Sequence, residues 1–151
     1  MGFFLAMLGI GLMVGLSGAG SAIGVVIGGS AVLGAIKKKP EIFGNVMVLS
    51  AMPATQGLYG FVGYIMYSGS LAQIGPSLTV VQGAVVLGAG IAMGLACLIS
   101  AIMQGRVVAN GISAMGSGYN VFSNSFILGA FPEFYAILSL VAAILMLGLL
   151  K

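Results

Sequence analysis

The chain has 151 residues, of which 60% are hydrophobic and only 5% are charged, and its mean hydropathy is +1.23. Because a soluble domain carries roughly a quarter charged residues, this composition predicts an integral membrane protein, and the net charge of +3 does not indicate a nucleic-acid partner. The chain lacks His and Asp, which excludes the usual metal clusters and Ser-His-Asp catalysis. We therefore predict no catalytic residues and no cofactor.

Breaks in the apolar sequence predict four transmembrane helices in a single membrane domain. The predicted spans are about residues 3–36, 43–67, 79–114 and 124–150. A helix needs about 20 residues to cross the hydrocarbon core, and lipid leaves only helices as plausible spanning elements here. The predicted fold class is therefore all-α. The first and third spans are longer than a crossing requires, so they tilt or project beyond the bilayer.

Basic residues predict the topology. Lys37-Lys38-Lys39 lies between the first two spans, and Arg106 lies near the second loop. Because basic residues accumulate on the cytoplasmic side of a membrane, the loops at about 37–42 and 115–123 are predicted to be cytoplasmic. Both termini are then outside, in a multi-pass protein of the cell membrane.

The two halves of the chain resemble each other at an offset of 79 residues. The tripeptide SAI at 21–23 recurs at 100–102, and the same offset matches Ala54 to Glu133. This similarity predicts two duplicated helical hairpins in parallel orientation. The predicted repeats are residues 1–73 and 74–151, approximately.

Glycine is concentrated in the first span. Small residues spaced four apart let helix backbones approach closely in lipid, so these glycines predict dense helix packing, either within the chain or between copies of it. The glycines are Gly9, Gly11, Gly15, Gly18, Gly20, Gly24, Gly28, Gly29 and Gly34.

Polar side chains are predicted to meet at one depth in the membrane. Glu133 is the carboxylate within the predicted spans, and a charged residue there costs roughly 2.5–3.5 kcal/mol on insertion scales, which suggests a functional site. Gln104 and Glu133 lie at equal distances from the centre of the second loop. Gln56 lies about as far beyond the first loop, and Thr55 adds a hydroxyl group beside it.

The chemistry of this set favours a monovalent cation. One carboxylate balances one positive charge, while the neutral amide and hydroxyl oxygens of Gln56, Gln104 and Thr55 replace water without adding charge. A proton needs only the carboxylate, so the additional oxygens favour Na⁺. Tyr59 lies three residues after Gln56, on the same helix face, and is predicted to hold the carboxylate of Glu133. The alternative for each glutamine is an ordinary interhelical hydrogen bond.

Two prolines lie next to the predicted site. Pro53 cannot donate a hydrogen bond to the carbonyl group of Leu49, and Pro132 cannot donate to that of Leu128. The backbone near Met52 is therefore a candidate source of a further ligand oxygen. The alternative for either proline is a simple helix kink.

Three separated motifs carry a resemblance to a known family. They are PATQGLYGF (53–61), MQGRV (103–107) and PEFYAIL (132–138). With them the chain resembles the membrane rotor subunit of V-type ATPases, the proteolipid or K subunit, and particularly the Na⁺-translocating bacterial kind. The resemblance implies a ring of identical subunits that turns as partner subunits hydrolyse ATP. The chain itself would hydrolyse nothing.

The resemblance also implies the site residues and the partners. The family's ion ligands fall on Thr55, Gln56, Gln104, Glu133 and the backbone carbonyl of Met52, and its carboxylate-binding tyrosine falls on Tyr59. The implied partners are a membrane stator subunit with an arginine, a central-stalk subunit at the cytoplasmic loops, and lipid. The chain departs from the family pattern in its uncharged second loop, MGSGYNVFSN (115–124), and in Pro132.

Three other functions are compatible with parts of the sequence. The first is a rotor of the same family that carries H⁺. The second is a small four-helix exporter of cationic drugs, although such proteins usually stack substrates on aromatic rings and this chain has no Trp. The third is a passive pore or a purely structural membrane protein.

Overall fold

A computed structural model describes residues 1–150, and Lys151, the last residue of the predicted second repeat, lies outside them. The fold is all-α, as predicted. The α-helices are α1 (Gly2–Ile36), α2 (Phe43–Ala51), α3 (Thr55–Ile74), α4 (Val80–Gly116) and α5 (Phe122–Leu147). Short 3₁₀ turns cover Pro40–Ile42, Met52–Ala54, Gly75–Ser77 and Gly148–Leu150.

Three helical segments within residues 1–150 are long and apolar enough to cross a membrane. They are Gly2–Ile36, Val80–Gly116 and Phe122–Leu150. Their bounds lie within a few residues of the predicted first, third and fourth spans. The rise of an α-helix makes the first two segments roughly 50–55 Å long, so they exceed the hydrocarbon thickness as expected.

The predicted second span is a broken helix rather than one continuous element. A 3₁₀ turn at Met52–Ala54, which contains Pro53, separates α2 from α3. The predicted end near residue 67 is wrong, because α3 continues through small and polar residues to Ile74. It stops at Gly75, whose φ of +62° favours glycine.

The two glycine-rich helices, α1 and α4, run parallel in close backbone contact. A Cβ atom added at Gly105 would lie 2.6 Å from the carbonyl oxygen of Gly24, and one at Gly116 would lie 2.9 Å from the Cα of Ala35. Each pair is separated by 81 positions (105 − 24 and 116 − 35), so the register is constant over this stretch. The absence of a side chain at Gly105 and Gly116 permits such an approach.

Helices α3 and α5 pack on this central pair. The hydroxyl group of Tyr67 on α3 donates to the carbonyl oxygen of Ala143 on α5 at 2.6 Å, and Tyr67 is buried. Buried apolar residues form two clusters, one around Met13 and Met93 and the other around Leu49 and Ile112. Along α3, α4 and α5, the predicted polar residues lie between these clusters, where apolar packing fixes the helices on both sides.

Candidate ion-binding site

The structure brings the predicted carboxylate into contact with two other helices. On one side, the Tyr59 hydroxyl group donates to Oε1 of Glu133 at 2.6 Å. On the other, Nε2 of Gln104 donates to Oε2 of Glu133 at 3.0 Å. Each carboxylate oxygen therefore accepts one hydrogen bond from a different helix. Hydrogen bonds to a charged group are stronger and more directional than neutral ones, so this pair fixes the orientation of Glu133.

The two glutamines form the fully buried part of the site. Gln56 and Gln104 are both 0% exposed, and Nε2 of Gln56 donates to Oε1 of Gln104 at 2.7 Å. The Nε2 group of Gln104 also donates to the carbonyl oxygen of Gly129 on α5 at 2.9 Å. Because a buried amide that lacks partners is costly, these hydrogen bonds stabilise the site. They also join α3, α4 and α5 at one depth.

Thr55 and Met52 lie where the broken helix turns. The Thr55 hydroxyl group donates to the carbonyl oxygen of Met52 at 3.1 Å and lies 3.3 Å from Oε1 of Gln56. The 3₁₀ turn around Pro53 is what places these oxygens together. The carbonyl group of Leu49, which the sequence suggested would be free, accepts the N–H of Met52 instead, because the turn shifts the bonding pattern by one residue.

The second proline lies close to two carbonyl groups that accept hydrogen bonds from α4. The sequence pointed to the carbonyl group of Leu128 as the one freed by Pro132. The side-chain donors of α4 reach two other α5 carbonyls, those of Gly129 and Pro132. Both face α4, so the position of the donor helix decides which carbonyls are used.

Ser100 is a site residue that the sequence reasoning missed. Its Oγ accepts a hydrogen bond from Nε2 of Gln56 at 3.1 Å and donates one to the carbonyl oxygen of Pro132 at 2.8 Å. The matching serine of the first SAI tripeptide, Ser21, accepts the backbone N–H of Gly57 at 2.7 Å, near the start of α3. The repeated tripeptide was the available signal.

The electrostatic character of the site follows from its composition. Within residues 1–150, no group of three or more His, Cys, Asp and Glu side chains could hold a metal ion. The site therefore offers a single carboxylate, that of Glu133, surrounded by neutral amide, hydroxyl and carbonyl oxygens. A set with one negative charge suits one monovalent cation better than a divalent metal, which usually takes several charged ligands.

Comparison with known proteins identifies relatives along nearly the whole chain. The chain is 37% identical over 143 residues to the A-type ATP synthase subunit K of Methanocaldococcus jannaschii. This alignment covers 95% of this chain and 61% of that protein. It is 36% identical over 146 residues to the V-type sodium ATPase subunit K of Enterococcus hirae, covering 96% and 91%. It is 28% identical over 148 residues to a V-type proton ATPase subunit of Saccharomyces cerevisiae, covering 95% and 70%.

The family match occurs twice within the chain. Residues 8–67 and residues 87–146 each match the ATP synthase C-subunit family. The two matches start 79 positions apart (87 − 8), which is the offset of the internal similarity in the sequence. Together they cover well over half of the chain, and so the chain belongs to the ATP synthase C-subunit family.

Proposed function

We propose that the chain is the ion-carrying rotor subunit of a V-type ATPase and that it binds Na⁺ at Glu133. The observation that carries this proposal is the hydrogen-bond network in which Tyr59 and Gln104 donate to the carboxylate and the buried Gln56 donates to Gln104. One relative of nearly the same length is named a subunit of a sodium ATPase. The similarity to this sodium ATPase subunit and the long apolar helices of the chain support a location in the cell membrane.

The buried glutamines favour Na⁺ over H⁺ as the transported ion. In the described arrangement their N–H groups point toward acceptors, and Gln104 donates directly to Glu133. A half-turn of a terminal amide exchanges its NH₂ group for its oxygen. The same side chains can thus stabilise the empty carboxylate through N–H groups and coordinate a cation through oxygens. A proton rotor needs no such amide oxygens.

Charge neutrality explains how such a site can move through lipid. When Glu133 holds Na⁺, the site carries no net charge, which avoids most of the cost of burying an ion. When it is empty, the carboxylate needs a basic partner, and we propose that a stator arginine supplies it. ATP hydrolysis in partner subunits then turns a ring of identical chains past the stator. We propose that the central stalk contacts the cytoplasmic loops.

The membrane layout completes the proposal. We propose that α2 and α3 together form a fourth span, and that the chain is two duplicated hairpins, about 1–73 and 74–151. The two family matches 79 positions apart and the parallel packing of α1 and α4 support this duplication. Lys37 and Lys38 are exposed at the end of α1, which supports a cytoplasmic first loop. A cytoplasmic loop at about 115–123 and external termini follow from four crossings.

Carbodiimide labelling of the purified protein tests the function. The reagent attacks protonated carboxyl groups in membranes, and Glu133 is the carboxylate within the membrane segments. We expect millimolar Na⁺ at constant pH to protect Glu133 from labelling, and K⁺ at the same concentration to have no effect. Protection by raised pH alone would indicate a proton rotor. A complete lack of labelling would contradict both rotor functions.

A further inference from the structure

Ser100 lies at the edge of the candidate site, where it links α3 to α5. Its Oγ atom is 2.8 Å from the carbonyl oxygen of Pro132 and 3.1 Å from Nε2 of Gln56. Ser100 is 5% exposed. Within residues 1–150, neither of these hydrogen bonds involves Glu133. An effect of Ser100 on ion binding therefore has to pass through Gln56 or through the α5 backbone.

The supply of donors and acceptors fixes the direction of these hydrogen bonds. A hydroxyl group has one hydrogen, and a carbonyl oxygen can only accept. The Ser100 hydrogen is therefore used at the Pro132 carbonyl group. The Oγ lone pairs that face α3 then need an N–H donor, so Gln56 must turn its NH₂ group toward Ser100 and its oxygen away from it.

The other end of the network gives the same orientation independently. The carbonyl oxygen of Gly129 lies 2.9 Å from Nε2 of Gln104, so the NH₂ group of Gln104 faces α5. The oxygen of Gln104 is then free to accept from Gln56, as it does at 2.7 Å. Both hydrogens of the Gln56 amide are thereby used, one at Ser100 and one at Gln104.

The oxygen of Gln56 faces other oxygen atoms. Its Oε1 lies 3.3 Å from the hydroxyl group of Thr55, which also lies 3.1 Å from the carbonyl oxygen of Met52. The Thr55 hydroxyl group has one hydrogen for these two acceptors. Oxygen lone pairs therefore remain available on this side of the amide, and such lone pairs are the ligands that a hard cation prefers.

We infer that Ser100 is a positioning residue, whose hydroxyl group holds the Gln56 amide with its oxygen turned toward Thr55. In that orientation the oxygen can coordinate a cation. The inference rests on the proposed Na⁺ function and adds a residue that acts on the ion through Gln56. Without the hydroxyl group, Gln56 can also turn its NH₂ group toward Thr55, where its hydrogens repel a cation.

The ion-loaded site depends on Ser100 more than the described arrangement does. In the described arrangement the NH₂ group of Gln56 has two acceptors, Ser100 and Gln104. When Gln104 turns its oxygen toward the ion, its NH₂ group faces Gln56 and can no longer accept. Of the two acceptors, Ser100 then remains. Because a change alters affinity only through its difference between two arrangements, loss of this hydroxyl group should weaken Na⁺ binding.

The substitution Ser100→Ala in the carbodiimide assay tests the inference. We expect the Na⁺ concentration for half-maximal protection of Glu133 at fixed pH to rise roughly five- to tenfold. Labelling without Na⁺ should match that of the parent protein, because Ser100 makes no hydrogen bond to Glu133. The control is Ser17→Ala, which removes a buried hydroxyl group bonded to the Met13 carbonyl of its own helix. The control should change neither measurement.

A double-mutant cycle separates positioning from a general loss of stability. Gln56→Ala removes the amide through which Ser100 is inferred to act. Adding Ser100→Ala to this variant should therefore change the half-protecting Na⁺ concentration by less than about twofold. An undiminished effect of Ser100→Ala in the Gln56→Ala background would overturn the inference.

The substitution Ser100→Thr tests the hydroxyl group itself. Ser100 borders an apolar groove of about 450 Å³ between α4 and α5, which has room for the added methyl group. We expect Ser100→Thr to keep the half-protecting Na⁺ concentration of the parent protein. A threonine variant that is as weak as Ser100→Ala would show that the hydroxyl group is not what positions Gln56.

The parent protein distinguishes this inference from the proposed function. If Na⁺ does not protect Glu133 in the parent protein, the proposed function is wrong and the inference fails with it. If Na⁺ protects the parent protein and Ser100→Ala requires the same Na⁺ concentration, the proposed function stands and the positioning role of Ser100 is wrong.

Discussion

The substitution Gln104→Ala is the sharpest test of the proposed site. Gln104 accepts from Gln56 at 2.7 Å and donates to Gly129 and Glu133 at 2.9 and 3.0 Å. Its truncation removes one amide oxygen from the ion and one donor from the empty carboxylate. Hydrogen bonds to charged groups contribute about 1.5–3 kcal/mol, so losing one comparable contact to the ion should weaken Na⁺ binding about 10- to 150-fold.

The assay is the Na⁺ concentration that gives half-maximal protection of Glu133 from carbodiimide at fixed pH. Labelling in the absence of Na⁺ should persist in Gln104→Ala, because the carboxyl group itself remains. The control is Gln73→Ala, since Gln73 is an exposed α3 residue that lies outside the site. If the two variants need equal Na⁺ for half protection, the glutamine is a packing residue and the proposed coordination is wrong.

Three further substitutions have expected outcomes. Tyr59→Phe removes the 2.6 Å hydrogen bond to the carboxylate and should raise the half-protecting Na⁺ concentration by roughly tenfold. The control is Tyr67→Phe, because the Tyr67 hydroxyl group donates to an α5 carbonyl instead. This control should lower thermal stability without changing Na⁺ protection. Ser100→Ala removes the link between the buried amide and the α5 backbone and should lower the detergent melting temperature as expected for a loss of about 1 kcal/mol; an unchanged melting temperature would show that this link is dispensable. Gly90→Ala places a methyl group against the α1 backbone and should reduce the yield of folded protein. Its control is Gly69→Ala, which lies in open space and should leave the yield unchanged. Equal yields of the two variants would contradict the close packing of α1 and α4.

Composition and counting along the chain predicted much of the layout. Apolar length located α1, α4 and α5 within a few residues, because the membrane imposes one simple requirement on helix length. Counting outward from the loop centres placed Gln104 and Glu133 at one depth, and they are hydrogen-bonded. This worked because the rise of a helix is fixed, so equal residue counts on two antiparallel helices correspond to equal heights.

The parts that the sequence did not predict depend on tertiary contacts. The role of Ser100 was missed because serine in a membrane helix commonly bonds its own backbone, as Ser17 does here with the carbonyl group of Met13. The use of the Gly129 and Pro132 carbonyls was not predicted, because the position of the partner helix decides which α5 carbonyls accept its side-chain donors. The sequence likewise did not predict which glycines face α4. Gly9 and Gly11 are the same residue type in the same apolar segment, yet only Gly9 contacts the α4 backbone.

The constant register between α1 and α4 has a mechanical consequence. The two backbones touch directly near Gly24 and again near Ala35, so no flexible side chains separate them there. Sliding one helix along the other would drive carbonyl groups into Cα atoms, which gives the pair a high resistance to shear. The pair behaves as one stiff strut roughly 50 Å long. The segment of α4 that carries Gln104 therefore keeps a fixed height relative to the end of α1.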